Sequence, residues 1–259
     1  MTIKIHPSAI VSPRARLGAG VEIGPYCIIG HNVKIGNGSI LRSHVVIEGN
    51  TDIGRNNELY PFVSIGFPPQ DIGYKGEDTR VIIGDGNIFR ESVTINRATT
   101  KQEWETNVGS NNYLMSYAHV GHDCIVGNNI IMANSATLGG HTIVGDHASI
   151  GGLVAVHQFV RIGAHAFIGG MSGIPQDIPP FMIAAGARAR LFGPNQSGLK
   201  KQGFPREKIN SLKKAFRIIW RESGRLSEGV RRVREEMEPF NELDMLLNFI
   251  QDSKRGVAS

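Results

Sequence analysis

The chain has 259 residues, 32 of them glycine, with 7% aromatics and two cysteines, Cys27 and Cys124. This composition excludes a core built on large rings, a disulfide framework and a cysteine-rich metal centre, and no apolar run reaches the length of a membrane span, so a soluble cytoplasmic protein is expected. The net charge of +5 arises wholly in residues 196–259, with 14 Lys/Arg against 9 Asp/Glu, whereas residues 1–195 hold 14 of each; the excess suits an acidic partner or, more plainly, a solvated helix face.

From Ile5 an aliphatic residue recurs every six positions through Val11, Leu17, Ile23, Ile29, Ile35, Leu41, Ile47, Ile53, Leu59 and Ile65. The phase resumes at Ile83, Phe89 and Ile95, and again from Val108 in steps of six to Ile168. Two places before the aliphatic the residue is mostly small or apolar, as at Ala9, Ala15, Val21 and Cys27. Glycine often follows directly, as at Gly18, Gly24 and Gly36. A period of six is neither helical nor simple alternation. It describes a short flat strand, a corner, and the same again. Three sides close a triangular coil of 18 residues with the aliphatics inside, and glycine is expected to give the corner its backbone freedom. Coils stacked at a strand spacing of about 4.8 Å make a rod on the order of 40 Å long.

Two segments leave the pattern, near 66–82 and near 98–107, and read as loops thrown out from coil corners. The hexads fade after Ile174, and the period turns helical. The predicted domains are a parallel β-helix over 1–193 and a helical domain over 194–259. In the second, Pro205 is expected to open a helix carrying Ile209, Leu212, Phe216, Ile219 and Trp220, ended by Gly224. Ser227 is expected to cap a second helix, and Asn241 a third with Leu243, Leu246, Leu247 and Ile250.

The 18-residue coil predicts neighbours. His122 stacks under Gly140 and then Gln158, Asp123 lies under His141, and His157 is beside Gln158. These six residues therefore gather on one edge over three coils, and none occupies an inward aliphatic position. A lone histidine on such a ladder is usually surface, as His147 and His165 illustrate at the same offset. Three histidines with a carboxylate and an amide point instead to acid–base chemistry or, as an alternative, to a zinc site. Cys27 and Cys124 fall in the small inward class, so buried, inert thiols are expected.

Several segments carry a resemblance: Ser43-His-Val-Val, Ala118-His-Val-Gly-His-Asp-Cys, Gly139-Gly-His, Ala155-Val-His-Gln-Phe, Gln176-Asp-Ile-Pro-Pro and Gly198-Leu-Lys-Lys-Gln-Gly-Phe. Together they resemble the hexapeptide-repeat left-handed β-helix acyltransferases, and within these the UDP-N-acetylglucosamine O-acyltransferase family that begins lipid A synthesis. The resemblance implies an all-β left-handed parallel β-helix with a small C-terminal α-helical domain. It implies transfer of an (R)-3-hydroxyacyl chain from acyl carrier protein to the 3-hydroxyl of UDP-N-acetylglucosamine. His122 would be the general base, Asp123 its orienting carboxylate, and Gly140 the amide that meets the oxyanion. Substrate contacts would fall to Gln70, Asp71, His119, His141, His157, Gln158, Asn195 and Lys201, and the acyl-length ruler to Gly170 with Arg188 nearby. The same likeness implies a homotrimer with sites between subunits and acyl carrier protein as partner. It implies no nucleic acid, no metal and no resident cofactor, the acyl group arriving on the carrier's phosphopantetheine.

The chain also departs from the family pattern. Gly73 stands where a lysine is usual, Ser197 where a carboxylate is usual, and Lys201-Gln202 where an arginine pair is usual. These changes bear on nucleotide phosphate binding, since lysine does not reproduce arginine's bidentate geometry. They leave room for an altered acceptor such as a 3-amino sugar, giving an amide product; a sister enzyme using a CoA donor and a metal-dependent β-helix protein are the alternative readings.

Overall fold

The computed structural model describes residues 2–259. Two-residue strands alternate with corners, and each pairs in parallel with the strand 18 residues on, as in Lys4↔Glu22, Ile10↔Ile28 and Arg16↔Lys34. The result is three sheets of eleven, nine and eight strands forming the sides of a prism. The architecture is the left-handed parallel β-helix, followed by a short helical region. The inward positions stack into a continuous core in which Leu59, Ile65, Phe89, Leu114 and Leu138 are fully buried.

Both loops leave the second sheet and return in the third, from Ser64–Phe67 to Arg80–Ile83 and from Thr94–Asn96 to Glu105–Val108. They are shorter than their sequence suggests, because third-sheet strands lengthen to four residues here and pair in register, Arg80 with Glu105 and Ile83 with Val108. Both insertions therefore sprout from the same edge of the prism.

The part expected of glycine is corrected. Among the described residues, eighteen non-glycine residues have φ between +53° and +69°, and all but Trp104 stand three positions after an inward apolar residue. The left-handed corner is thus built mostly from Tyr26, His44, Phe62, Asp123, His141, Phe159 and their equivalents. Each such residue costs about 1–2 kcal/mol in isolation. Stacking offsets that cost. The His44 and His141 amides donate to the Pro25 and His122 carbonyls at 2.9 Å, and the Tyr26, His44 and Phe62 rings pack in a tilted column with successive centroids 5.1 Å apart. The glycine that follows the aliphatic serves close approach instead: a Cβ at Gly24 would stand 2.8 Å from the Arg42 carbonyl carbon.

The first sheet continues into a hairpin. Met182–Ala185 pairs in parallel with Phe167–Ile168 and antiparallel with Arg190–Pro194. Four helices follow: α1 (Gln196–Lys201), α2 (Arg206–Arg217), α3 (Leu226–Glu236) and α4 (Asn241–Gln251). Helix α1 was not expected; it is capped by Asn195, whose side chain accepts the Gly198 N–H. Pro205 precedes α2 with extended ψ rather than occupying its first turn. Beyond α2 a π-helical turn, Ile218–Glu222, carries the chain to Ser223, so the stripe ends one residue before Gly224. Ser227 lies inside α3, which follows Arg225, and Phe240 precedes α4; neither helix has a side-chain cap. Packing substitutes for capping, since Val230, Val233, Leu243, Leu246 and Leu247 are buried together.

Candidate active site

The edge between the second and third sheets carries the histidine cluster. Val120, Leu138 and Val156 anchor three successive coils, and the following residues form the corner. His141 donates its amide to the His122 carbonyl, and Phe159 donates to Gly140. This fixes the order His122, Gly140, Gln158 along one column and Asp123, His141, Phe159 along the next. Asp123, His141 and Phe159 all adopt the left-handed conformation. Among the described residues, the amide N–H groups of His122, Gly140 and Gln158 donate to no acceptor. A Cβ at Gly140 would lie 2.5 Å from His122 Cε1 and 2.6 Å from Nε2. The His122 imidazole thus occupies the space that a side chain at Gly140 would fill.

His122 Nδ1 is 2.7 Å from Asp123 Oδ2. The same oxygen accepts the Thr99 amide at 3.0 Å and the Thr99 hydroxyl at 2.9 Å, while the Asp123 amide donates to Thr106 Oγ1. Burial alone would raise the Asp123 pKa; the His122 and Thr99 hydrogen bonds outweigh it and hold the carboxyl below the usual carboxylate range. An ionised carboxylate only accepts, so the proton lies on His122 Nδ1 and the lone pair on Nε2. His141 Nε2 stands 3.8 Å from Asp123 Oδ2, its Nδ1 2.9 Å from Gln102 Oε1, and its ring stacks on Phe159 at 4.3 Å. At 5% exposure His141 is enclosed, and burial pushes its pKa down, against the pull of Asp123. His119 packs beside the cluster with Nδ1 2.7 Å from Thr94 Oγ1; burial first and the His122 charge second lower its pKa.

The loops close over this corner. Lys101 pairs with Asp71, linking one loop to the other, and Arg97 reaches the Tyr74 hydroxyl at 3.0 Å and the Gly66 carbonyl at 2.9 Å. Asp71 also accepts the Gly73 amide; the Lys101 ammonium first and that amide second hold its carboxyl below the usual range. The ammonium beside Asp71 therefore comes from Lys101, on the other loop. Gln70 is exposed beside Asp71, and His157 and Gln158 are exposed at the upper end of the corner. Thr99, Lys101 and Gln102 were missed in the sequence because their loop breaks the 18-residue register, which alone predicts neighbours.

Other candidates lie elsewhere on the same chain. Gly170 sits on the edge between the first and second sheets, where a Cβ would meet the Gly152 carbonyl oxygen at 3.2 Å. Arg188 is exposed in the hairpin turn. Asn195 and Lys201 belong to the edge of His147 and His165. There the Asn195 amide donates to the His165 carbonyl at 3.1 Å as well as capping α1, and Gln202 meets His165 Nδ1. Lys201 is exposed in the last turn of α1.

His122, Asp123 and His141 bring three ligand atoms within 4.8 Å of one another. The fit to a metal ion is poor. His122 Nδ1 and Asp123 Oδ2 are bonded to each other, and Oδ2 already takes two Thr99 donors. The cysteines lie inside the coils, and burial pushes the Cys124 thiol up to about 12. Native protein should therefore resist maleimide, and Cys124→Ala should keep full catalytic turnover; labelling followed by intact mass measurement checks both.

Residues 177–258 match the family described as UDP N-acetylglucosamine O-acyltransferase, domain 2, and residues 2–37, 14–49 and 105–140 match the bacterial transferase hexapeptide repeat. The chain is 54% identical over 254 residues to the acyl-[acyl-carrier-protein]–UDP-N-acetylglucosamine O-acyltransferase of Thermodesulfovibrio yellowstonii, covering 98% of each. It is 56% identical to the protein of that name from Sulfurihydrogenibium, covering 99% of this chain and 94% of the other. Among solved structures, LpxA from Acinetobacter baumannii superposes with a TM-score of 0.95 at 40% identity, covering 98% of this chain and 99% of that one. The UDP-N-acetylglucosamine acyltransferase of Bacteroides fragilis gives 0.97 at 38% identity, over 98% and 100%.

Proposed function

The chain belongs to the UDP-N-acetylglucosamine O-acyltransferase family, and from that membership we propose that His122 drives direct transfer of an (R)-3-hydroxyacyl group from acyl carrier protein to the 3-hydroxyl of UDP-N-acetylglucosamine, the first step of lipid A synthesis. One observation supports His122 above its neighbours: Asp123 holds Nδ1, and the ring lies over a position without a side chain. Nε2 takes the proton of the sugar hydroxyl as its oxygen attacks the thioester carbonyl. The Gly140 N–H meets the resulting oxyanion. Collapse breaks the carbon–sulfur bond, and the phosphopantetheine thiolate recovers the proton from His122. Asp123 stays ionised throughout and stabilises the imidazolium. No metal or resident cofactor takes part in this scheme, so prior treatment with EDTA should leave the rate unchanged.

The placement of the other candidates supports a homotrimer. Gly170 and Asn195 stand on different edges from His122, so a site using all of them is complete only when edges of neighbouring copies meet. A single prism edge is also too flat to bury a substrate. Lys200, Lys201, Arg206, Lys213 and Lys214 lack carboxylate partners among the described residues and suit docking of the acidic acyl carrier protein. Because Lys101 supplies the ammonium beside Asp71, the acceptor side of the site keeps a cation despite Gly73.

A mass-spectrometric assay tests the reading. Acyl carrier proteins of several 3-hydroxyacyl lengths, and matched acyl-CoA donors, are offered with UDP-N-acetylglucosamine or its 3-amino analogue. Ester product from carrier-bound donors is expected. Product from CoA donors alone, or amide product alone, overturns it.

A further inference from the structure

The segment Gln176-Asp-Ile-Pro-Pro stood out in the sequence, yet the transfer scheme makes no use of it. The structure gives Asp177 a task. It is 1% exposed; Oδ1 accepts the Arg161 amide and Oδ2 the Ser253 hydroxyl, both at 2.8 Å. Its amide donates to the Gly256 carbonyl at 2.9 Å, and its carbonyl accepts the Ala258 amide at 3.0 Å. Residues 253–258 are thereby bound to the last coil. Gly256 turns with φ +80°. This anchoring carries Arg255 to the upper end of the histidine corner. There Nε donates to the Pro175 carbonyl at 2.8 Å, and Nη2 lies 2.8 Å from His157 Nδ1.

His157 Nδ1 has a second neighbour, the Gln158 carbonyl oxygen at 3.1 Å. The two neighbours demand opposite tautomers. The carbonyl only accepts, so it needs a proton on Nδ1; the guanidinium only donates and never loses its charge, so it needs a lone pair there. The guanidinium is the closer partner, and a charge-assisted bond is roughly twice as strong as a neutral one. We propose that Arg255 is a positioning residue of the transfer site, fixing His157 in the tautomer that carries its proton on Nε2, so that His157 meets substrate as a hydrogen-bond donor. The part of this inference that concerns transfer rests on the proposed function; the tautomer does not.

Arg255 itself touches no reacting atom. It acts across about two coil spacings from His122, roughly 10 Å along the prism. In the intervening coil Gly139 and Gly140 carry no side chains, and His141 fills only the neighbouring column. By the coil register His157 stands two coils from His122 in the adjoining column, and a substrate oxygen reaching it would find Nε2–H only while Arg255 is in place.

The test uses full-length protein carrying 15N-histidine, with the His157 signals identified from their loss in His157→Gln. Near pH 8, wild type should show an unprotonated Nδ1 and a protonated Nε2, and Arg255→Met should reverse the two as Nδ1 turns to the Gln158 carbonyl. Arg255→Met should lower kcat/KM about tenfold, the worth of one substrate hydrogen bond. Added to His157→Ala, it should change kcat/KM less than about twofold, because its effect passes through the missing ring. Arg255→Lys, which keeps a donor, should retain the wild-type tautomer. A protonated Nδ1 in wild type overturns the proposal without reference to activity. So does an equal loss on removing Arg255 in the presence and in the absence of His157, which would make the tail contact purely structural. If the transfer reaction itself is misassigned, no variant has a rate to compare, but the wild-type tautomer still decides the proposal.

Discussion

His122→Ala is expected to lower kcat by roughly 10²–10⁴-fold, the usual contribution of a positioned general base, equivalent to about 3–5 kcal/mol of barrier. An unactivated sugar hydroxyl is a weak nucleophile at neutral pH, and the two histidines packed beside His122 cannot replace its Nε2. His141 is enclosed between Gln102 and Phe159, and His119 is turned to Thr94. KM should change little, since the base gains its advantage in the transition state rather than in the ground state. The fold should survive. His122 lies at a corner outside the stacked core, and Asp123 keeps both Thr99 donors when the imidazole is gone. Losing one partner from a buried carboxylate costs about 1–3 kcal/mol, so Tm should fall by a few degrees. Thermal unfolding measured beside steady-state rates separates the two effects. A variant that folds normally and keeps more than a tenth of wild-type kcat would remove His122 from the role.

The prism and the histidine corner were legible because one rule generates both. Leu138 is 18 residues beyond Val120, and that interval alone puts Gly140 over His122 and His141 over Asp123. The rule stops where the chain leaves the coil. Thr99, Lys101 and Gln102 reach the corner from a loop whose path no period specifies, and Arg255 reaches it from beyond the helices. The conformational logic of the corner was also hidden. Glycine marks the left-handed region in an isolated turn, but in a stack the neighbouring coils stabilise that conformation for His44, Asp123 or Phe159. Glycine is then free for places where two backbones meet. Helix starts were misread for a related reason: Ser227 and Asn241 have the chemistry of caps, yet burial of Val230 and Leu243 determines where those helices lie.

The same geometry predicts that transfer depends on an atom that is absent. Gly140→Ala is expected to lower kcat about 10²-fold, the cost of displacing a catalytic group by about 1 Å. The added Cβ would stand 2.5–3.0 Å from three atoms of the His122 ring. The ring must then swing out, and swinging out breaks the 2.7 Å contact between Nδ1 and Asp123. Backbone strain does not explain the loss, because Gly140 is not among the glycines with positive φ. Loss of the oxyanion donor does not explain it either, since alanine keeps the amide N–H. The overpacked ring borders solvent, so the structural cost should stay near 1–3 kcal/mol. A double-mutant cycle isolates the cause: with His122 already replaced by alanine, the slot is empty, and Gly140→Ala should then change kcat less than about twofold. A full loss in that background would mean that the Gly140 backbone acts by itself, and a Gly140→Ala enzyme with wild-type kcat would mean that the imidazole does not work from the slot beside this glycine.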